Sequence, residues 1–334
     1  MRQTPINQQL RGVNLGGWLV LEKWMTPSLF VGMQAKDEYS FCLEKGINAQ
    51  KSLEKHWSTF ITEADFRWLS EHGINAVRIP VGYWIFGDVS PFVGNVQYLD
   101  WAFTMAKKYH LKVLIDLHAA PGSQNGFDHS GRVGAVNWFK RANRNETQAV
   151  LEKLVKRYGK HESLWGIELL NEPAIWWYLR YFVLRSWTKR VVASLTSSES
   201  HTFRIIFSDA YVPWFMSGLL KHSKHSVMDI HHYQCFSRRH KQKSLDEHLE
   251  IARSMRARID AWQIKQPVII GEWSLVFDHA SLKGTNRRKS EMIYGQAQLQ
   301  AFENAAGWFF WSYKMEGQGG WNFRYCVDNG YLKF

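Results

Sequence analysis

Eight short apolar runs recur along the chain, at residues 10–15, 75–80, 112–118, 165–171, 203–208, 227–232, 267–271 and 307–311. Within each run the apolar residues are near-continuous rather than alternating, which is the pattern of strands covered on both faces. Apolar positions spaced for a helix predict helices over 62–71, 99–109, 147–158, 176–195, 213–222, 244–263 and 291–304. Thr62-Glu63-Ala64-Asp65 reads as a capping pattern at the start of the first of these. Strands alternating with helices predict an α/β fold closed as a (β/α)8 TIM barrel rather than an open sheet. An eighth helix has to fall in the last twenty residues or be absent, and residues 18–60 form a long insertion after the first strand. No linker, repeat or low-complexity tract divides the 334 residues, so a single domain over 1–334 is expected.

Polar residues sit where packing calls for apolar ones. Arg78, His118, Asn171, Glu172, His231, Tyr233, Glu272 and Trp311 all lie at or just past the C-terminal part of an apolar run. In a (β/α)8 barrel those ends converge on one face, where barrel active sites are built. Two of the residues are carboxylic acids, Glu172 after the fourth run and Glu272 after the seventh, on strands that face each other across the barrel mouth. Cleavage of a glycosidic bond needs a proton for the leaving oxygen and a nucleophile or activated water at the anomeric carbon, and two carboxyls supply both. A separation of about 5 Å makes such a pair retaining. Arg78 is placed to keep Glu272 ionised, while burial and that neighbouring charge let Glu172 keep its proton. The Asn171 amide is suited to a sugar 2-hydroxyl, Tyr233 to donating to Glu272, and His118 and His231 to sugar hydroxyls.

Composition changes this picture little. Hydrophobic residues make up 45% of the chain, which argues against disorder. Most of the 17 Trp are expected in the core, although indole faces also make sugar platforms. The net charge of +12 invites a polyanion, but the basic residues are spread along helices. The densest runs, 238–243 and 287–289, read as surface loops. Solubility, or retention near an anionic envelope, accounts for the charge, and no nucleic-acid partner is expected. Three Cys (Cys42, Cys235, Cys326) make no disulfide framework. His118, His129, His231 and His232 do not match a zinc spacing, so no metal is expected. On a strand His232 points away from His231 and is structural. No run approaches a membrane span, and residues 1–8 hold no apolar leader core, which fits a cytoplasmic chain or a secreted one whose leader is gone.

These residues resemble glycoside hydrolase family 5, and within it the fungal exo-β-1,3-glucanases. The resemblance runs through 11–22, 77–84, 115–128, 167–173, 231–234 and 271–274; the string Ala120-Pro121-Gly122-Ser123-Gln124-Asn125-Gly126-Phe127-Asp128 is its most specific part. It implies a retaining double displacement without cofactor, with Glu172 as acid/base and Glu272 as nucleophile. It implies a glucose subsite lined by Glu22, Arg78, His118, Asn171, His231, Tyr233 and Trp311, with Asp128 and His129 beside it. Phe127 and Phe236 resemble a pair of rings that clamp the next sugar at the entrance. The implied partner is a β-glucan or β-gluco-oligosaccharide bound by a monomer; β-1,6-glucan, other β-glucosides and glucosyl transfer stay open. The chain departs from the pattern in His129, where the fungal enzymes have Asn, in the basic stretch after Phe236, and in a short segment between Ser274 and Glu291. That shortened wall predicts a more open pocket.

Overall fold

The computed structural model describes residues 8–176, 178–197, 202–223, 225–277 and 286–334. Eight parallel strands close into a barrel in chain order: β1 Leu10–Asn14, β2 Ala76–Gly82, β3 Lys112–Ala119, β4 Leu164–Glu168, β5 Arg204–Ser208, β6 Ser226–Gln234, β7 Val268–Phe277 and β8 Gly307–Phe310. Pairing of Gly12 with Phe309 and Val13 with Phe310 closes the ring. Around it lie α1 Glu38–Lys45, α2 Ala49–Phe60, α3 Glu63–Glu71, α4 Val96–Lys108, α5 Arg141–Tyr158, α6 Tyr178–Leu195, α7 Pro213–Met216, α8 Leu245–Gln263, α9 Arg287–Ala301 and α10 Phe323–Asp328. The predicted alternation is present, and α10 is the eighth barrel helix, within the last twenty residues.

Successive strand side chains point to opposite faces, and the two faces carry different residues. One set, with Val77, Ile79, Val113, Ile115, Ile205, Met228, Ile230 and Phe310, packs into the large core beneath the helices. The other set fills the barrel. Its lower layer is apolar: Leu10, Ala76, Leu114, Ile206, Val227, Ile269 and Phe309 form one buried cluster. Two residues further along the same strands the interior turns polar, at Arg78 after Ala76, Asp116 after Leu114 and Asp229 after Val227. Glycines make room for the large plug residues: a Cβ on Gly12 would lie 2.3 Å from the Phe309 ring, and one on Gly166 2.3 Å from Ile206.

The insertion after β1 folds as α1 and α2 and is fastened to the barrel mouth. Glu38 is buried in α1 and accepts from Leu21 N at 2.8 Å and Trp84 Nε1 at 3.0 Å. Burial pushes its carboxyl up to about 8. Asp37 caps α1, and Thr62 with Asp65 forms the anticipated box at α3.

Several expectations are corrected. The helix predicted over 213–222 is a single turn, α7, because the chain breaks at Ser217-Gly218, where Gly218 has φ 79°. Leu219 and Leu220 are nevertheless buried, which is why the segment carried helical spacing. The basic run 287–289 is not a loop but the first turn of α9, with Asn286 as its cap. Strand four ends at Glu168, not at Asn171. Helices α4 and α5 begin earlier than predicted, α5 with a polar turn that has no apolar periodicity to announce it. Part of the segment between Ser274 and Glu291 lies outside the described residues. Among the described residues no helix is long and apolar enough to cross a membrane.

The plug layer leads to a stability prediction. Phe309→Ala empties a fully buried site ringed by strands that cannot collapse inward, so it is expected to cost about 3–5 kcal/mol. Urea unfolding followed by tryptophan fluorescence measures this; a shift of less than about 1 kcal/mol would show that the barrel floor is not held by this ring.

Candidate active site

The polar interior is organised around Arg78. Its guanidinium is fully buried and lies within ion-pair distance of four carboxylates: Glu168 at 2.8 Å, Asp116 at 3.1 Å, Glu272 at 3.1 Å and Asp229 at 3.7 Å. It also donates to Asn14 Oδ1 at 2.9 Å and Asn171 Oδ1 at 3.0 Å. One cation cannot neutralise four buried anions. Burial, reinforced by Asp229 and Asp116, holds Glu168 well above the usual carboxylate range even beside Arg78. Asp229 is further fixed by the backbone N–H of Gly271 at 2.6 Å.

Glu272 sits on this base. Register shifts in β7 against both neighbours bring it to the interior directly after Gly271, the kind of irregularity that re-aims a side chain at an active site. Its Oε1 accepts from Arg78 and its Oε2 from the Tyr233 hydroxyl at 2.9 Å. Glu172 arrives from β4 through a sharp turn. It has φ 45°, a left-handed conformation that L side chains rarely adopt and that marks functional sites, and Pro173 follows it. An oxygen from each glutamate and a ring nitrogen of His231 all lie within 4.8 Å of one another.

His231 is wedged between the two acids, with Nδ1 2.6 Å from Glu172 Oε1 and 3.4 Å from Glu272 Oε2. Burial opposes a charge on this imidazole, but Glu272, Asp229 and Glu172 together outweigh it and raise it well above its ordinary value. Burial likewise opposes the charge on Glu172, and His231 overrides it and holds that carboxyl below the usual range. Glu272 is pushed up to about 7 by burial, with the charge of Glu172 adding and His231 and Arg78 opposing. This differs from one expectation: Glu172, expected to keep its proton, is held toward its ionised form by His231. His231 grips the acid through Nδ1, while its buried Nε2 has no hydrogen-bond partner among the described residues.

The other predicted residues gather around this trio. Asn171, its amide oxygen turned to Arg78, leaves Nδ2 buried with no partner among the described residues. His118 donates Nδ1 to Asp116 at 2.6 Å and likewise presents an unpartnered, buried Nε2. Trp311, joined to Ser312 by a cis peptide bond, stacks on His118 with ring centroids 5.4 Å apart. His129 lies 3.5 Å from the other oxygen of Glu172, and burial keeps it below its ordinary value. Glu22 accepts from Trp24 Nε1 at 2.9 Å and is held well above the carboxylate range by burial and by nearby Asp128. At the rim, exposed Phe127 stacks on His129 and exposed Phe236 packs on Tyr233 and Trp321. Phe127 thus meets a residue that touches Glu172, and Phe236 one that bonds Glu272. His232 points to the outer layer, against Phe302.

Several residues went unnoticed in the sequence. Asp116 and Asp229 lie two positions before His118 and His231, on the same strand face, so the strand period could have found them. Glu168, a carboxyl inside a covered strand, was a similar signal. Tyr211, which hydrogen-bonds Glu172, follows β5 with φ 62° and had no periodic cue; neither had Trp24 and Trp321.

A barrel mouth holding two buried, adjacent carboxyls, Glu272 on β7 and Glu172 in the turn after β4, ringed by hydroxyl-binding groups and aromatic rims, is that of a glycoside hydrolase. The chain belongs to glycoside hydrolase family 5: residues 40–317 match the family model described as Cellulase (glycosyl hydrolase family 5). It is 36% identical to a probable glucan 1,3-beta-glucosidase A of Aspergillus niger, over 97% of this chain and 87% of that one. It is 37% identical to a glucan 1,3-beta-glucosidase of Schwanniomyces occidentalis, over 98% and 88%. Its fold is similar to the crystal structure of a rutinosidase from Aspergillus niger, with TM-score 0.86 and 24% identity over 98% of this chain and 99% of that one. An endoglucanase from Thermotoga maritima shares it with TM-score 0.60 and 17% identity, over 91% and 89%.

The charge cluster makes a signed prediction. Arg78→Met removes the cation and leaves buried carboxylates unpaired, a change expected to cost about 3–5 kcal/mol near neutral pH. Glu168 and Glu272, already raised by burial and held down by Arg78, then titrate still higher in the folded chain than in the unfolded one, so the folded state binds more protons and stability falls as pH rises. The deficit against the unsubstituted protein should shrink from about pH 8 to about pH 5 in urea unfolding. A deficit constant across that range would mean that Arg78 acts by packing alone.

Proposed function

We propose that this protein is a retaining β-glucosidase acting on β-1,3-linked glucan, with Glu272 as nucleophile and Glu172 as acid/base. The observation that carries the reading is the spacing of the two glutamates, with oxygens within 4.8 Å. That suits direct attack on the anomeric carbon, whereas inverting pairs stand about 6.5–9.5 Å apart to admit a water. Glu272 attacks and forms the glycosyl ester while Glu172 protonates the leaving oxygen; Glu172 then takes a proton from the water that hydrolyses the ester. His231 relays its proton to Glu172 along their short hydrogen bond as the leaving group departs. Asn171 Nδ2 and His118 Nε2, unpartnered among the described residues, are offered to sugar hydroxyls, and a donor to the 2-hydroxyl gains strength in the oxocarbenium-like transition state. The β-1,3 linkage is supported by the names of the relatives at 36% and 37% identity. NMR of the first product from laminaritriose tests the whole reading: β-glucose released first is expected, and α-glucose would rule out retention.

The glutamates should separate by leaving group. Glu272→Ala should abolish turnover on every substrate while the protein still folds and binds. Glu172→Ala should slow laminaritriose far more than an activated aryl β-glucoside, whose leaving group needs no proton. Equal losses on both substrates would remove Glu172 from the acid role.

The pH profile follows from the same geometry. Glu272 must be ionised to attack, so kcat/KM should fall as pH drops through about 7. The Tyr233 hydroxyl favours the ionised form, so Tyr233→Phe should move this acid limb to higher pH and cut kcat/KM at neutral pH by roughly tenfold to a hundredfold. An acid limb that stays in place in the variant would break the link between Tyr233 and Glu272.

A further inference from the structure

One exposed surface has no part in the chemistry above. Trp176 (68% exposed), Tyr178 (76%), Leu179 (76%), Phe182 (48%), Trp214 (64%) and Phe215 (55%) stand out on the loop after β4, the first turn of α6, and α7. Tyr178, Phe182, Phe215 and Trp214 form one patch, with Leu179 and Trp176 close to Tyr178 along the chain. Tyr178 meets Phe182 with ring centroids 4.7 Å apart, and Tyr181 bridges Phe182 at 5.3 Å and Phe215 at 5.5 Å, with Trp214 following Phe215. The patch adjoins the barrel mouth, because Tyr211 of the same β5–α7 connection hydrogen-bonds Glu172. Single exposed apolar residues need no explanation, but a contiguous group of large ones marks an interaction surface.

The charge around the patch selects the partner. Residues 173–198 contain no Asp or Glu and four basic residues, Arg180, Arg185, Lys189 and Arg190. Residues 210–228 also lack acids and carry Lys221 and Lys224; the flanking Asp209 and Asp229 are buried. Tyr178, Phe182, Arg185 and Lys189 follow helical spacing along one side of α6, so apolar and basic positions run in series. A neutral glucan gains nothing from this charge, and Leu179 has no flat face for a sugar. A second copy would set one basic face against another. Glu152 of α5 meets α6 at Ser194, near its C-terminal end and away from the aromatic group; tryptophan, tyrosine and leucine beside a helix with basic residues and no acid of its own suit the headgroup boundary of a negatively charged membrane.

We propose that this face docks on an anionic phospholipid bilayer, the apolar side chains entering the headgroup region while Lys189 and Arg190 meet lipid charge. The docked surface borders the barrel mouth, so the enzyme would work on glucosides held at the membrane. It adds a location to the reaction and leaves the catalytic reading independent.

Vesicle co-sedimentation tests it, with the full protein and vesicles of phosphatidylcholine alone or mixed with equal phosphatidylglycerol. At low salt, binding to the anionic vesicles should exceed that to the neutral ones by roughly tenfold or more and should fall as salt is added. L179S/F182S/W214S/F215S should lose that binding and keep its activity on an aryl β-glucoside. K189E/R190E, confined to exposed positions, should also lose roughly tenfold, and it decides the matter if the apolar variant does not fold. Equal sedimentation with both vesicle types, or binding unchanged in either folded variant, overturns the proposal. So does a patch-dependent retention on immobilised laminarin, or a patch-dependent dimer in sedimentation velocity, without vesicle binding.

Discussion

A single guanidinium buried among four carboxylates is the constraint around which this barrel is arranged. Taking Arg78 out of water has a cost that only close anionic partners offset, and those partners come from β3, β4, β6 and β7. Each is therefore held in place by a different strand, in two adjacent pairs. The apolar plug below excludes water and keeps the local dielectric low, which strengthens these pairs and makes any missing partner expensive. The same arrangement fixes Asn171 by its amide oxygen and Glu272 by one carboxylate oxygen, so the groups offered to a sugar inherit their orientation from a charge that never touches it.

The excess of acid over base in that layer governs where protons sit. Arg78 does not balance its neighbours, so the remaining negative charge is felt one layer up, at His231. Asp229 and the two glutamates favour the charged form of this histidine in spite of burial, and it in turn favours the ionised form of Glu172. Glu172 and His231 therefore act as a hydrogen-bonded pair that shares one proton. A substrate that displaces water and brings an ether oxygen to Glu172 shifts that proton along a 2.6 Å hydrogen bond, a short move that needs no side-chain rotation.

How much of this was legible in the chain depends on which physical signal each part left. Covered strands announce themselves as apolar runs, and polar residues at their ends stand out against that background; both glutamates were visible in this way. The charged middle layer was less visible, although Asp116, Glu168 and Asp229 interrupt the same runs, because a reading that looks at strand ends passes over strand interiors. Residue 172 hides its left-handed turn, since nothing in Asn-Glu-Pro requires it. The false helix at 213–222 shows the opposite failure: buried Leu219 and Leu220 keep helical spacing in a segment whose Ser217-Gly218 break prevents the helix. The sharing of a proton between Glu172 and His231 could not be read from order alone, because it depends on three side chains from β6, β7 and the turn after β4 meeting at one point.

The division of labour between strands and loops then limits what can vary. Arg78, Asp116, Glu168, Asp229, His231, Tyr233 and Glu272 are carried by barrel strands, whereas Glu172, Asn171, His129 and Tyr211 come from the connections after them, and the Arg78 network couples the strand-borne groups so that shifting one disturbs the rest. The rims are different. The Phe127 ring meets the site through His129, and the Phe236 ring through Tyr233 and Trp321. A change in either loop can reshape the entrance without moving the charged floor, so the bond chemistry is conserved by the barrel while the choice of leaving group is left to the loops. The aromatic patch on α6 and α7 lies further out, carried by the connections after β4 and β5 that also hold Glu172 and Tyr211.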